Sequence, residues 1–545
     1  MNRFVIGCDV GSQGTNAGLF AEGGTLVASH YEPHTLSFPQ PGWAEQDPSE
    51  WISAVTSAVG HLVERARPGR VMGLSFGTQL DGMVLCARDA RPLRPAMIWM
   101  DRRAEEQARR LAERITREEF YRLSGTNLDS SHAVFKAMWV KDREPAVFRE
   151  AAWLLPPGAY LLLALTGQPA VDPSNASSLA LLDPRSRAWS GRLLDLTGLD
   201  GERLPRIAPA TSPAGGPSKE FAEATGLAPN TVIAVGCGDE MAATLGAGVF
   251  EAGEVCDVVG TAEPVCAVSE SPREDPTMLV ECHPHADPKT WLLENPGFVS
   301  GGNLRWWRDQ FAPLERSAEE RGEADAYELL VKEAEVVAAG SEGLTFLPCM
   351  QGAMAPEWNG EARGVFCGLT LAHTRAHMTR AILEGSAFAL RDILEAMVGA
   401  GLSVRRLTMV GGGAKGALWR RIKADVAGLP VRRPKNLETT AAGAAILAVV
   451  ASGIFPTLPE AIGAFVAYEP DEQWPDADAA AAYEPAYRRY RELYFALKPT
   501  FGAGKGRASS EGEVSTGDQA ASAFPAAPDI ARIMPKSDGS AMRSR

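Results

Sequence analysis

A chain of 545 residues exceeds what one hydrophobic core normally organises, so two domains are expected, and its 45% hydrophobic share is ordinary for a globular protein. Its 54 basic against 68 acidic residues leave a net charge of −14, which argues against a broad nucleic-acid or membrane-surface footprint. No apolar run is long enough to span a bilayer, Met1-Asn2-Arg3 leads straight into a strand, and the eight cysteines hold no CxxC pair. The expectation is therefore a reduced, cytoplasmic protein, with Cys8, Cys86, Cys256, Cys266, Cys349 and Cys367 as small buried residues.

In chain order, the pattern predicts strands over 4–8, 16–20 and 26–31, with Glu22-Gly23-Gly24 turning between the last two. Asp47 is placed to cap a helix running from Pro48 to about Arg65, and a buried strand follows over 71–75. The basic run 65–70 reads as a solvated helix end and loop. Strand, hairpin, helix and strand in that order imply a mixed sheet with helices against it. Further on, a helix is expected after Pro156-Pro157 and a loop over 205–217. A strand over 231–235 then runs into a helix through 241–246. The domain boundary falls near Gly248–Gly253. The second half opens its own hairpin over 255–259 and 264–268. It continues with helices over 375–397, 417–426 and 439–450 and a strand over 407–410. Ala441, Ala442, Gly443, Ala444 and Ala445 form a run of small residues that permits close backbone packing. The expected division is 1–248, 249–500 and a disordered tail over 501–545. The tail is rich in Gly, Ser, Ala and Pro, and its few large apolar residues cannot offset the entropy of ordering it.

Two passages carry the chemistry. Each is an apolar β-like run ending in a small polar turn, the first around Asp9, Gly11, Ser12, Gln13 and Thr15, the second around Gly260 and Thr261. Such turns bring backbone N–H groups together on anionic oxygens, so two of them suggest two lobes gripping one polyphosphate. Asp9 is suited to hold Mg²⁺ through water, or to organise its own turn. Gly411-Gly412-Gly413 between a strand and a helix is a candidate nucleotide platform, although a tight turn explains it equally. Asp239 ends a strand in a glycine-rich turn. An aspartate there serves either as base for a sugar hydroxyl or as a helix N-cap, and its place at the domain junction favours catalysis. Gln79, Leu80 and Asp81, with Asp101, Arg102 and Arg103 beside Trp99, offer the directed hydrogen bonds that a polyhydroxylated ligand needs. Taken singly, the two arginines read as a charged helix start. Cys282-His283-Pro284-His285 lacks a second ligand pair at zinc spacing and reads as a loop. Trp306-Trp307 reads as core or as a domain-facing wall instead of a stacking platform.

Together the motifs resemble the FGGY carbohydrate kinases, in particular their xylulokinase-like, pentulose kinase branch, from about Phe4 to about Pro499. The stretches that carry this include Asp9-Val-Gly-Ser-Gln-Gly-Thr15, Gly42-Trp-Ala-Glu-Gln-Asp-Pro-Ser-Glu-Trp51, Gly238-Asp239, Leu383-Glu-Gly-Ser-Ala-Phe388, Gly411-Gly-Gly-Ala414 and Ala442-Gly-Ala-Ala445. The resemblance implies an α/β fold of two actin-like (ribonuclease H-like) domains with the active site between them, and ATP with Mg²⁺. It places Asp239 on the catalytic base, which also approaches sugar and metal, and Asp9 on the metal and phosphate turn. Thr261 falls on the second phosphate turn, Gly412, Gly413 and Ala414 on the adenosine side, and Gln79, Leu80, Asp81, Asp101 and Arg103 on the sugar side. The expected partners are a small sugar and ATP, without nucleic acid or membrane, and a homodimer is compatible with the reading.

Four departures stand out. Xylulokinases commonly show Gln-Met-His-Gly where this chain has Gln79-Leu80-Asp81-Gly82. Glu240 stands where an Asn often follows the catalytic Asp. Ala262-Glu263 replaces the usual Ser-Gly, and Gly352-Ala-Met-Ala-Pro356 lacks the common Gly-Glu-Arg start. The expected activity is phosphorylation of a ketopentose such as D-xylulose. A kinase for another ketose or a sugar alcohol, and a non-catalytic sugar sensor, stand as alternatives.

Overall fold

The computed structural model describes residues 3–66 and 71–502. The 67–70 part of the basic run, and all of the expected tail except 501–502, lie outside the described residues.

Two sheets are built on one plan. In the first, Phe4–Val10, Gly14–Ala21 and Leu26–Pro33 form an antiparallel meander. Val71–Thr78 joins Phe4–Val10 in parallel, and Val232–Ala234 continues beyond it. In the second, Glu254–Val258, Ala262–Ser269 and Trp291–Val299 form the meander, Arg406–Val410 and Val431–Arg432 add parallel strands, and Glu281–Pro284 lies on the outer edge. The continuous apolar character of Phe4–Val10 and Val71–Thr78 follows from burial on both faces.

Two helices fill the space between the sheets. Asp239–Gly246 belongs to the first half and Thr439–Ala451 to the second. One apolar cluster joins Val5 and Phe20 of the first sheet to Cys256, Cys266 and Val410 of the second through Met241, Leu245, Ala445 and Ile446 of these helices. The small-residue run has the role expected of it. A Cβ on Gly7 would stand 2.0 Å from the carbonyl oxygen of Ala441, and one on Gly73 2.7 Å from that of Ala448. Thr439–Ala451 therefore lies directly on the backbone of the first sheet, although it comes from the other half of the sequence.

Local signals place most elements. Asp47 Oδ1 accepts from the Ser49 N–H (2.9 Å) at the start of the helix Pro48–Ala66. Pro157–Thr166 is helical as expected and closes on Gly167 in the left-handed region. Trp307 is buried and donates from Nε1 to Thr379 Oγ1 (3.0 Å), consistent with core. Three expectations need correction. The stretch 205–217 contains two short strands, Arg206–Ile207 and Pro213–Gly215, each completed by a partner further away in sequence. Residues 281–284 form a buried strand rather than a loop, because they pair with Trp291–Val299 and close the edge of the second sheet. Cys367 is exposed, at the end of the short strand Val365–Cys367 whose Val365 and Phe366 pack against the core instead.

Candidate active site

The first turn links Phe4–Val10 to Gly14–Ala21, and the Gly11 N–H closes it on Gly14 O at 3.0 Å. Ser12 Oγ accepts from Trp99 Nε1 (2.8 Å) and donates to Gln79 Oε1 (3.2 Å). Gln79 Nε2 in turn donates to Gln46 Oε1 at 2.8 Å. Ser12, Gln79 and the 46%-exposed Trp99 thus form one wall. Thr15 is fully buried. His34 Nδ1 lies 3.0 Å from Gly11 O, a pure acceptor, so Nδ1 carries the proton and Nε2 accepts the Thr15 hydroxyl proton at 3.0 Å. Burial keeps this ring on the neutral side by lowering its pKa. The Thr15 hydroxyl therefore secures the turn instead of offering its proton to a phosphate oxygen. Gly11, Ser12 and Gln13 remain on the open side.

Asp239 is the first residue of its helix, and Gly238 holds the N-cap position without a side-chain bond. Its Oδ1 accepts from the Glu240 N–H at 3.0 Å. The preceding chain passes so close to Val71–Thr78 that a Cβ on Gly236 would stand 2.4 Å from Phe76 O, and Gly236 has φ +76°. Only glycine fits there. This close approach sets Asp239 over the end of the strand: a Cβ on Gly77 would lie 3.5 Å from Asp239 Cα. Burial pushes the Asp239 carboxyl up to about 7, and Glu294 and Asp81 add repulsion. Asp9 is likewise raised well above the usual range, first by burial, then by Asp239 and Glu438. Asp9, Asp239 and Glu438 are thus an acidic trio where the first turn meets the starts of both crossing helices. The Asn16 side chain donates to Glu438. The motifs gave no sign of Glu438. Its only local signal is an acidic residue directly before the small-residue helix.

Asp81 sits in the left-handed region with φ +55°. Three neighbours hold it: its N–H donates to Ser178 Oγ (3.4 Å), its carbonyl accepts from Lys136 Nζ (2.6 Å), and its Oδ1 lies 3.0 Å from His132 Nδ1. A chain of charge continues from there. His132 Nε2 is 3.4 Å from Glu281, and the other oxygen of Glu281 is 3.4 Å from His283 Nε2. His283 Nε2 is 3.8 Å from Glu294. Burial alone would raise Glu281, but the two imidazoles hold it down to about 2. Burial also disfavours charge on His132, yet Asp81 and Glu281 raise its pKa well above the ordinary value. Burial brings Lys136 down to about 8. This network ties the first half to the strand Glu281–Pro284, so His283 has a structural function that its motif did not disclose.

Asp101 and Arg103 are brought together more tightly than expected. They form a doubly hydrogen-bonded pair, with Nη2 to Oδ2 at 2.6 Å, and both side chains are at most 1% exposed. Asp101 Oδ2 also accepts from the Ala44 N–H (2.7 Å). The guanidinium lies 3.6 Å over the Trp43 ring and 2.8 Å from Glu45. The pair braces the 42–46 loop and presents no open charge. Leu80 packs at the end of the strand, where a Cβ on Gly238 would meet its Cδ2 at 2.6 Å.

The second turn is held differently. Gly260 N–H bonds to Ala262 O (3.0 Å), and Thr261 Oγ1 accepts from Arg305 (2.9 Å). Glu263 is fully buried, accepts from Ser300, and lies 2.8 Å from Lys423 Nζ, which also bonds Asp257 at 2.6 Å. The altered Ala262-Glu263 pair therefore anchors this turn from below. Gly411 has φ +79°, and a Cβ there would stand 2.7 Å from Val259 O. The Gly413 N–H donates to that same oxygen at 3.1 Å. The glycine turn thus wraps the strand end that leads into Gly260 and Thr261. Gly412 opens to solvent, while Ala414 is buried.

Family models for the FGGY family of carbohydrate kinases match in sequence over both halves, the N-terminal domain over residues 4–246 and the C-terminal domain over residues 257–452. The chain belongs to the FGGY family of carbohydrate kinases. It is 32% identical to the xylulose kinase of Escherichia coli K12, over 91% of this chain and 99% of that protein. It is 29% identical to the gluconokinase of Bacillus subtilis 168, over 87% of this chain and 93% of that one. The ligand-bound xylulose kinase structure from Lactobacillus acidophilus superimposes with a TM-score of 0.85 at 27% identity, covering 92% of this chain and 99% of that one. The kinase thus has the two-domain, actin-like FGGY fold. No helix among the described residues is long and apolar enough to cross a membrane.

Proposed function

We propose that this kinase transfers the γ-phosphoryl group of ATP to a hydroxyl of a neutral ketopentose, D-xylulose first among them, with Asp239 as the base. The observation that carries this reading is the raised carboxyl of Asp239, directed by the Glu240 N–H and set near Asp9, Glu294 and Asp81. A carboxylate with a pKa near 7 is matched to accepting a hydroxyl proton at neutral pH. Such assistance is typically worth about 10²–10⁴-fold.

Asp9, raised in part by Asp239 and Glu438, lies in an acidic surround whose oxygens suit a divalent cation that prefers oxygen ligands and keeps part of its water. Asp9 and Asp239 would hold Mg²⁺, which supplies charge neutralisation for the nucleotide phosphates. The protein's own groups do the rest. Gly11, Ser12 and Gln13 on one side, and Gly260, Thr261, Gly412 and Gly413 on the other, line two turns suited to bind and orient phosphate and nucleotide. Asp81 is suited to fix sugar hydroxyls, with Trp99 on the neighbouring wall and the buried Gln79 bracing that wall from behind. Asp101 and Arg103 contribute by bracing that wall.

The same charges bear on the choice of substrate. Asp81, Asp239, Glu240 and Glu294 crowd one region, and Asp239 is raised partly by two of them. The part-exposed charge there is the Asp81 carboxylate, with His132 and Lys136 buried behind it, and it favours a neutral polyol over a sugar acid carrying its own carboxylate. The test is ADP release from the purified protein with ATP and Mg²⁺ against pentuloses, sugar alcohols and gluconate. Turnover on D-xylulose at least about tenfold more efficient than on gluconate is expected, a difference of about 1.4 kcal/mol. Preference for gluconate, or no turnover with any sugar, would overturn the proposal.

A further inference from the structure

Away from the cleft, the edge strand Leu26–Pro33 lies against the helix Pro48–Ala66. His30 and Glu32 are two residues apart on the strand, so their side chains leave it on the same face. That face alternates with an exposed one along the whole strand. His61 meets them from the helix. The His30 and His61 rings stack at 4.1 Å with planes 11° apart. His30 Nε2 is 2.8 Å from Glu32 Oε1. One ligand atom from each of the three residues lies within 4.8 Å of the other two.

The orientation of these groups is already fixed. His61 Nδ1 lies 2.9 Å from the carbonyl oxygen of Ser57. A carbonyl only accepts, so Nδ1 carries the proton and Nε2 keeps a free lone pair. A histidine whose far nitrogen donates to a backbone carbonyl is the arrangement that orients imidazole ligands in metal centres. Glu32 Oε1 is fixed in turn by the Ser57 hydroxyl at 2.5 Å. Ser57 therefore orients two of the three groups at once. Two stacked imidazoles beside one carboxylate cannot both be protonated without repulsion between the rings. A single divalent ion satisfies all three lone pairs.

We propose that His30, Glu32 and His61 form a binding site for a transition-metal dication of the Zn²⁺ class, clamping the edge strand to the helix. Two imidazole nitrogens and one carboxylate oxygen are the donor set such an ion selects, with its remaining position left to water. Mg²⁺, which prefers oxygen, is the wrong ion for this site. Binding replaces the hydrogen bond between His30 Nε2 and Glu32, and the neutral ring then carries its proton on Nδ1. The site is separate from the acidic trio and does not depend on the substrate assignment.

The test uses the full chain without a polyhistidine tag, stripped with a chelator and titrated with ZnCl₂ in a calorimeter. One equivalent of Zn²⁺ per chain is expected, with a melting temperature that rises on addition and no competition from millimolar Mg²⁺. His61→Ala, at an exposed helix position, removes this equivalent, and Glu32→Gln weakens it by at least about tenfold. Kinase turnover in both variants stays as in the parent, which also reports that they fold. A parent protein that takes up no Zn²⁺, or a folded His61→Ala that binds it as the parent does, would overturn the proposal.

Discussion

Gly443 and Ala242 touch backbone to backbone where the two central helices cross. A Cβ on Gly443 would stand 1.8 Å from the carbonyl oxygen of Ala242, and one on Gly246 would stand 1.9 Å from that of Thr439. The helix that begins with Asp239 is thereby fixed to the helix that follows Glu438. The acidic trio owes its geometry to this crossing.

Gly443→Ala therefore forces a rigid backbone apart. It should cost more than the ~1–3 kcal/mol of ordinary overpacking and yield a protein that melts early or fails to fold. At Gly399, the end of the helix Arg375–Gly399, an added Cβ would meet nothing within 4 Å, so Gly399→Ala should be neutral or slightly stabilising. Thermal melts of the two variants check the contrast.

Under the second turn, Lys423 bridges two fully buried acids, Asp257 and Glu263. Burial and Asp257 push Glu263 up to about 8, so one proton is retained in the group at neutral pH. Lys423→Met leaves two buried acids without this cation and should destabilise the protein by about 3–5 kcal/mol. Glu263→Gln keeps an acceptor for Ser300 and should cost about 1 kcal/mol or less. Chemical denaturation midpoints separate the two.

Asp81→Asn keeps the side-chain shape, the bond to His132 and a residue tolerant of the left-handed backbone. It removes a charge from the proposed sugar side. The expected result is an increase of about tenfold in KM for the sugar, equal to about 1.4 kcal/mol, with KM for ATP unchanged. Steady-state kinetics in each substrate measures it.

The raised Asp239 carboxyl has two consequences of opposite kind. As the base it works ionised, so kcat/KM should fall away on the acid side, and bound Mg²⁺ should move this limb below the metal-free value of about 7. For stability, the fold prefers the protonated form. In metal-free protein, ionisation costs nothing below the ordinary value of 3.8, then lowers stability progressively as pH rises towards about 7. Asp239→Asn should therefore melt higher than the parent at pH 7 and show less loss between pH 4 and 7.

The first meander, the hairpin that opens the second sheet, the turn at Asp9 and the small-residue helix were all legible in the sequence, because period-2 patterning, glycine and alanine act locally. What the sequence did not disclose depends on long-range pairing. Residues 281–284 became a strand because Trp291–Val299 offered an edge, and Pro284 sits where an edge strand tolerates it. Thr15 reads as a phosphate donor until His34 takes its proton. Asp101 and Arg103 read as polar ligands until they are found bonded to each other beneath Trp43. Glu438 had no motif of its own, and only the helix crossing brings it to Asp9.

Asp239 as proton acceptor is the central claim, and turnover by Asp239→Asn tests it most directly. With a folded variant, saturating ATP and Mg²⁺ and the best sugar of the panel, ADP release should fall by about 10²–10⁴-fold while ATP still binds with near-parent affinity. Turnover within a few-fold of the parent would contradict the claim.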